Sequence, residues 1–301
     1  MRILMPIDGS AYSKAALAFI ASRSTLIASQ PDVELLNVQY PVSERVMRGA
    51  GKALVQHHQE SVAHKVIKPA LAALKRAGLR AQAKLVVGKP GVEIGRLAVE
   101  DAADLIVMGS HGHTGLQVLL FGSVTQAVLA SCTTPLLVLR SDAVPKKDSV
   151  KLGIALDGSK YGLAAVRFVV KHRALFGAAP SLTLIHVVPD LLNLVVRGYF
   201  ADAPVPGFKR EQVEEMQRAG FERALAPARK LLQGTALQVT EAQLTGNTPG
   251  EAIAAYATKR KLDILAIGSH GEGTLRSTAL GSVATRVAAK CRNALLFIQA
   301  K

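Results

Sequence analysis

The chain has 301 residues, 49% of them hydrophobic, and a formal net charge of +15 because 37 Lys and Arg residues outnumber 22 Asp and Glu residues. This length and apolar content predict a globular protein of about two domains. The positive charge is dispersed, Trp is absent and aromatic residues make up 4%, which argues against a base-stacking surface and hence against specific nucleic-acid binding.

A secretory or membrane-bound protein is not predicted. The first apolar run is too short for a signal peptide and is interrupted by Pro6 and Asp8. The longest apolar region, residues 182–196, contains polar residues and a proline, so it does not supply the roughly 18 uninterrupted residues of a membrane span. Cys132 and Cys291 each precede a final apolar run and are expected to be buried thiols without a disulfide. We therefore expect a cytoplasmic protein with no membrane partner.

Strands and helices alternate along the first half. An apolar strand over residues 2–7 is followed by Asp8-Gly9-Ser10, which turns the chain into a helix over about 11–28. The further elements predicted here are strands over 34–38, 81–87, 105–108 and 136–139, a long amphipathic helix over about 52–77, and a helix beginning at Pro90-Gly91.

The second half repeats this order. Asp157-Gly158-Ser159 follows a strand over 152–156, an offset of 149 residues from Asp8-Gly9-Ser10. Pro69 and Pro227 fall inside the long helices and are expected to kink or restart them. About nine extra residues around 190–207 predict a surface loop, with a lid as the alternative. The remaining elements are helices over 160–175, over 211–232 and from Pro249-Gly250, and strands over 183–187, 238–244, 264–267 and 294–298.

Each half thus has the order βαβαβαβαβ, which predicts an α/β domain with a parallel sheet covered by helices on both faces. The expected domains are residues 1–141 and 150–301, joined by a linker that contains Pro145-Lys146-Lys147. The apolar last strands would otherwise be exposed edges. We therefore expect the halves to pack through these strands as a pseudo-dimer within one chain, and a homodimer is also possible.

A glycine motif occurs once in each half. Gly109-Ser110-His111-Gly112 is followed nine residues later by Gly122-Ser123-Val124, and the same spacing recurs 159 positions downstream from Gly268 and Gly281. Glycine lets a ligand approach the backbone closely. Gly122 would begin a helix whose free N–H groups and dipole favour a phosphate. In one copy alone the glycines could simply be turn residues, but two copies with identical spacing favour a phosphate site.

This motif, at the end of an α/β unit, resembles the nucleotide-binding motif of the universal stress protein family in the branch that binds ATP. The resemblance covers nearly the whole chain as two tandem domains. It implies two doubly wound, Rossmann-like, five-stranded parallel sheets with strand order 3-2-1-4-5. That order places Asp8 across one crevice from Gly109. Asp8 and Asp157 could also cap their helices, instead or in addition.

The resemblance also implies the residues of the site, with ATP as the ligand and Mg²⁺ accompanying it. Ala155 and Ile267 depart from the first half, which has Pro6 and Met108 at these places. In the first half the base and ribose would meet Pro6, Asp8 and Val38, and the sugar and phosphates would meet Met108, Gly109, Gly112, Gly122, Ser123 and Val124. The corresponding residues of the second half are Asp157, Val187, Ile267, Gly268, Gly271, Gly281, Ser282 and Val283.

Other nucleotide motifs are missing. The sequence has neither a P-loop nor a dinucleotide fingerprint. His111 and His113 form a His-x-His pair, but the second half has His270 and Glu272 without a third ligand, so we predict no metal site of protein ligands.

The function predicted is an ATP-binding module of the stress response, with slow or no hydrolysis. Phosphoryl transfer needs a positioned nucleophile and charge compensation at the γ-phosphate, and the sequence identifies neither, so no catalytic residue is assigned. The alternatives are an ATP-using transferase or pyrophosphatase on a related α/β fold, a nucleic-acid-binding protein that uses the +15 charge, and a structural dimer that has lost the ligand.

Overall fold

The computed structural model describes residues 1–111, 121–140, 144–145, 147–191, 210–270 and 280–299. Gly112, Gly271, His113, Glu272 and most of the predicted loop at 190–207 lie outside these residues. The strands are β1 Arg2–Pro6, β2 Asp32–Gln39, β3 Ala81–Val87, β4 Leu105–Gly109, β5 Leu136–Leu139, β6 Lys151–Ala155, β7 Ser181–Val188, β8 Gln238–Thr245, β9 Ile264–Gly268 and β10 Ala294–Ile298.

Helices separate most of the strands, and none in the described ranges is both long and apolar enough to cross a membrane. They are α1 Ala11–Ala21, α2 Ser24–Ala28, α3 Glu44–Ala50, α4 Lys52–Arg76, α5 Pro90–Glu100, α6 Ser123–Ser131, α7 Lys160–Lys171, a 3₁₀ turn Arg173–Phe176, α8 Arg210–Leu232, α9 Pro249–Lys259 and α10 Ser282–Lys290.

The strands form one ten-stranded sheet in the order β3-β2-β1-β4-β5-β10-β9-β6-β7-β8. Within each half all pairs are parallel and the order is the predicted 3-2-1-4-5. The α/β class and the Rossmann-like strand order are therefore confirmed. The two five-stranded sheets are continuous, however, because β5 and β10 pair antiparallel, with Leu137 opposite Leu296. This pairing joins the halves at the strands predicted to form their contact.

Apolar residues fill both faces of this sheet. Alternate residues of β1 point to opposite sides, with Ile3 packing in the cluster that includes Phe19 of α1 and Leu74 of α4. Leu4 packs in the cluster that includes Ile94 of α5. Each cluster contains residues of both halves, and every residue of β4, β5, β9 and β10 is buried. Burial on both faces explains why these strands read as continuous apolar runs in the sequence.

The predicted helix over 11–28 is two helices, which corrects the sequence analysis. α1 ends at Ala21, where the hydroxyl of Ser22 donates to the carbonyl of Phe19 at 2.9 Å. Arg23 then turns inward and is fully buried, and its guanidinium donates to the carbonyls of Asp148 at 2.6 Å and Pro145 at 3.2 Å. Burial lowers the pKa of Arg23. The helix is therefore interrupted because Arg23 binds the linker.

Four further elements differ from the prediction. Pro69 and Pro227 lie inside helices that continue through them, so of the two expected effects, a kink or a restart, the restart is wrong. Ala70 and Leu74, which follow Pro69 on α4, are buried against the sheet, and this packing offsets the backbone hydrogen bond that proline removes. α3 was not predicted; it has no buried residue, and its apolar side chains Val46 and Met47 are exposed. The helix after Ser159 ends at Lys171 and is followed by the 3₁₀ turn.

Candidate functional site

The first half has a cleft of about 290 Å³ at the carboxyl ends of β1 and β4. This edge of the sheet is the place where open α/β sheets bind ligands, at the point where the strand order reverses. All the described residues that the sequence analysis assigns to the first site line this cleft, namely Pro6, Asp8, Val38, Met108, Gly109, Gly122, Ser123 and Val124.

The second half has a matching cleft of about 310 Å³ at the ends of β6 and β9. Ala155, at the place of Pro6, belongs to its wall. The second cleft also brings together every described residue assigned to it, namely Asp157, Val187, Ile267, Gly268, Gly281, Ser282 and Val283.

One aspartate lines each cleft, and its carboxylate accepts a hydrogen bond within the turn that follows the first strand of that half. Oδ1 of Asp8 accepts a hydrogen bond from the N–H of Ser10 at 2.9 Å, and Oδ1 of Asp157 accepts one from Ser159 at the same distance. The helix caps themselves are Ser10 and Ser159, whose hydroxyl oxygens accept bonds from the first turns of α1 and α7. The aspartates therefore precede the caps, and the interpretation that they cap the helices is corrected.

A helix begins at the other side of each cleft. Gly122 and Gly281 are the N-cap residues of α6 and α10, and within the described ranges neither helix start receives a side-chain cap bond. Both glycines are anchored, since Gly122 N–H donates to Ser110 O at 2.8 Å and Gly281 N–H to Ser269 O at 2.7 Å. A helix start of this kind offers backbone donors and a positive dipole end to an anion.

Among the described glycines of the motif, none has a positive φ. Gly122 and Gly281 have φ of −62° and −67°, values open to any residue. At Gly109 an added Cβ would lie 2.4 Å from the Cβ of Tyr12, and at Gly268 it would lie 2.6 Å from the Cβ of Tyr161. Glycine is needed at these two positions because β4 and β9 pack closely against α1 and α7.

An imidazole borders each cleft, an arrangement that the sequence analysis missed. Nδ1 of His111 lies 3.1 Å from the hydroxyl of Ser110, with the ring 5.4 Å from that of Tyr12. His270 repeats this arrangement with its own preceding serine, at 3.0 Å, and a tyrosine 5.7 Å away. The signal was a tyrosine in each half at the same 149-residue offset as the aspartates.

Two differences separate the clefts. Oγ1 of Thr125 donates to Gly109 O at 3.2 Å and so joins α6 to β4, whereas the corresponding residue of α10 is Ala284. His186 lines the second cleft, and its Nδ1 lies 2.7 Å from Leu156 O. In the first half Asn37 donates to Ile7 O at 2.8 Å in the same position. The carbonyl before each aspartate is thus held by an amide in one half and an imidazole in the other.

Among the described residues, no three His, Cys, Asp or Glu side chains come together as a metal site. Cys132 and Cys291 are buried thiols in separate halves.

Comparison with known proteins gives a consistent family. The universal stress protein family model matches residues 1–140 and 151–299. A universal stress protein of Mycolicibacterium smegmatis is 26% identical over 99% of this chain and 96% of its own. Universal stress protein MJ0577 of Methanocaldococcus jannaschii is 30% identical over 46% of this chain and 94% of its own. The crystal structure of a universal stress protein from Archaeoglobus fulgidus shares the fold over 99% of this chain and 96% of that one, with a TM-score of 0.66 and 21% identity.

Proposed function

The chain belongs to the universal stress protein family, and we propose that it is a stress-response protein that binds an adenine nucleotide, ATP with Mg²⁺, in its two clefts. The observation that carries this proposal is the construction of each cleft. Apolar side chains line one end of each cleft, and a carboxylate lies beside them. At the other end a helix begins, and no described side chain caps this helix start.

The parts of a nucleotide match these surfaces in the first cleft. Pro6, Val38 and Met108 offer apolar surface to a base, and the oxygens of Asp8 are acceptors suited to ribose hydroxyls. The first turn of α6, beginning at Gly122-Ser123, offers N–H groups and a hydroxyl to phosphate oxygens. The second cleft has the same order of surfaces with Val187, Asp157 and Gly281.

Mg²⁺ fits these clefts as a partner of the nucleotide. Mg²⁺ keeps several waters and is bound together with substrate phosphates, so it would lie beside the phosphates at the helix starts, while Asp8 and Asp157, the one described aspartate of each cleft, face the ribose. Bound there, the ion would neutralise part of the phosphate charge. Most of its coordination would come from phosphate oxygens and water.

The proposal describes a binding module with slow or no hydrolysis. No described Lys or Arg lines either cleft, so none of the described cationic side chains is placed to stabilise the charge that develops at a transferring phosphoryl group.

Calorimetry tests the proposal on the full chain. ATP, ADP and AMP are titrated with Mg²⁺ at physiological salt, after any co-purified nucleotide has been removed from a folded sample and identified by mass spectrometry. We expect saturable heats with at least one of these nucleotides. The control is the double variant Gly122→Val, Gly281→Val, which places a branched side chain at both helix starts. The absence of binding in the wild-type chain to all three nucleotides would overturn the proposal.

A further inference from the structure

The residue after each last strand reaches into the other half. Nη2 of Arg140, which follows β5, donates to the carbonyl of Ala288 at 2.9 Å. Nε2 of Gln299, which follows β10, donates to the carbonyl of Leu129 at 3.1 Å. Both donors and both acceptors are separated by the 159 residues that relate the two glycine motifs. The two contacts are thus reciprocal, one in each direction across the β5–β10 pair.

Both contacts end on the helices that face the clefts. Ala288 lies in α10, Ser282–Lys290, and Leu129 lies in α6, Ser123–Ser131. The last four carbonyls of a helix have no partner within it, and both acceptors belong to that set. A cation at this end of a helix is favourable as well, because it complements the dipole. Arg140 of the first half therefore holds the helix whose start borders the second cleft.

Arg140 also touches the start of the first helix. Its guanidinium carbon lies 5.8 Å from the ring centroid of Phe121, the residue directly before Gly122. Phe121 is 2% exposed and packs edge-on against Phe297 of β10, with ring centroids 5.8 Å apart. Gln299 lies at the matching position, but it is neutral and the counterpart of Phe121 is Leu280. Arg140 is therefore in contact with chain segments of both phosphate-facing helices.

We infer that Arg140 is a positioning residue that couples the two clefts, so that a nucleotide in one raises the affinity of the other. A phosphate seated at the start of α10 orders that helix and the guanidinium bonded to its last turn. The same guanidinium steadies Phe121, and Gly122 follows directly. The conformational entropy that is lost when the first nucleotide orders these segments is then not lost again when the second one binds, which gives positive cooperativity. The nucleotide in this inference rests on the proposed function, whereas the positioning of the helices does not.

Calorimetry with MgATP measures the coupling. The dissociation constant of the second cleft is obtained with the first cleft filled, in the wild-type chain, and with it blocked, in Gly122→Val. We expect the dissociation constant of the second cleft to be about fivefold larger with the first cleft blocked than with it filled, a ratio at the lower end of allosteric couplings. With Arg140→Gln, which installs the residue found at position 299, the ratio should fall to one.

The matched control is Lys171→Gln. It removes another contact between the halves, Nζ of Lys171 to Oδ1 of Asp104 at 3.3 Å, which involves neither α6 nor α10. The ratio should remain near fivefold in this variant. An unchanged ratio in Arg140→Gln, or an equal loss in Lys171→Gln, would overturn the inference.

Hydrogen exchange in the nucleotide-free chain tests positioning independently of the ligand. In Arg140→Gln the amides of α10 and of residues 121–125 should exchange faster, while those of Lys171→Gln should match the wild type. If exchange in α10 is unchanged by Arg140→Gln, the inference is wrong whether or not ATP binds. If the wild-type chain binds no nucleotide but exchange responds as expected, the proposed function fails while the positioning role stands.

Discussion

Nε2 of His172 lies 3.8 Å from Oδ1 of Asp104, and this contact crosses from the second half of the chain to the first. His172 is buried and packs on the ring of Phe168, 4.7 Å away. Burial lowers the pKa of His172, and the carboxylate of Asp104 only partly opposes this, while Lys171 and the N-terminal amine add to it. Burial would raise the pKa of Asp104, but the N–H of Arg2 and the ammonium of Lys171 together lower it. The folded state therefore favours a neutral imidazole beside a charged carboxylate.

This pair predicts a stability that depends on pH. The unfolded chain binds a proton at His172 near the ordinary pKa of about 6.5, whereas the folded chain takes it up only at lower pH. The contribution to stability is complete above about pH 6.5 and is lost as the pH falls below that value. Urea unfolding at pH 7.5 and 5.5 should show a smaller loss in His172→Gln than in the wild type. Equal losses in the two proteins would contradict the prediction.

Sequence patterns predicted the framework of the fold because they report local periodicity. The buried strands are continuous apolar runs, and their alternation with helices predicted that the strands are parallel. The break at Ser22 and Arg23 could not be found in this way, because it depends on carbonyls of Pro145 and Asp148 more than 120 residues away. α3 has no buried side chain, so a search for amphipathic faces passes over it.

The candidate site was predictable to a similar extent. Repetition of the glycine spacing predicted a phosphate site in each half, and the resemblance to the universal stress protein family implied the other residues that line the clefts, at the edge of the sheet where the ends of parallel strands meet. The role of Gly109 was not predictable, because it depends on the proximity of Tyr12 on α1. The contacts of Arg140 and Gln299 were missed for the same reason, as polar residues after a strand carry no signal of their partners in the other half.

Separate expression of the halves should expose the edges that β5 and β10 protect. In the intact chain all residues of these strands are buried, and an unpaired apolar edge is a template for association. We expect residues 1–141 and 150–301 each to self-dimerise or aggregate, as measured by light scattering after size exclusion. A co-expressed mixture is the control and should give a soluble complex of the two. Two separately monomeric and soluble halves would argue against this role of the edges.

Hydrolysis of ATP should be slow. Dedicated enzymes have a median turnover of about 10 s⁻¹, and an arginine that stabilises the transition-state charge is worth about 10³-fold or more in phosphoryl transfer. No described Lys or Arg lines either cleft, so we expect a rate below about 0.01 s⁻¹. The rate of hydrolysis is measured as phosphate release at saturating ATP. The double variant Gly122→Val, Gly281→Val, prepared in the same way, gives the rate that is due to contaminating enzymes. A rate near the median would show that catalytic groups are present after all.

The first cleft is expected to be the tighter nucleotide site. Both clefts have a helix start at glycine, so the difference must come from the wall that faces the base. Pro6 and Met108 line the first cleft, whereas Ala155 and Ile267 line the second. The loss of a few buried methylene groups at about 0.8 kcal/mol each corresponds to a weakening of roughly one to two orders of magnitude.

Gly122→Val and Gly281→Val form a matched pair of variants for this comparison. Both glycines are N-caps with nearly equal φ, −62° and −67°, so a valine meets nearly the same backbone conformation at both positions and each branched side chain lies at its own helix start. Calorimetry should show that Gly122→Val removes the high-affinity phase and leaves the weaker one, while Gly281→Val does the opposite. Unfolding midpoints of the two variants control for a difference in stability. If Gly281→Val removes the high-affinity phase and Gly122→Val retains it, the order of the two clefts is reversed, and the base-facing wall formed by Pro6 and Met108 does not decide affinity.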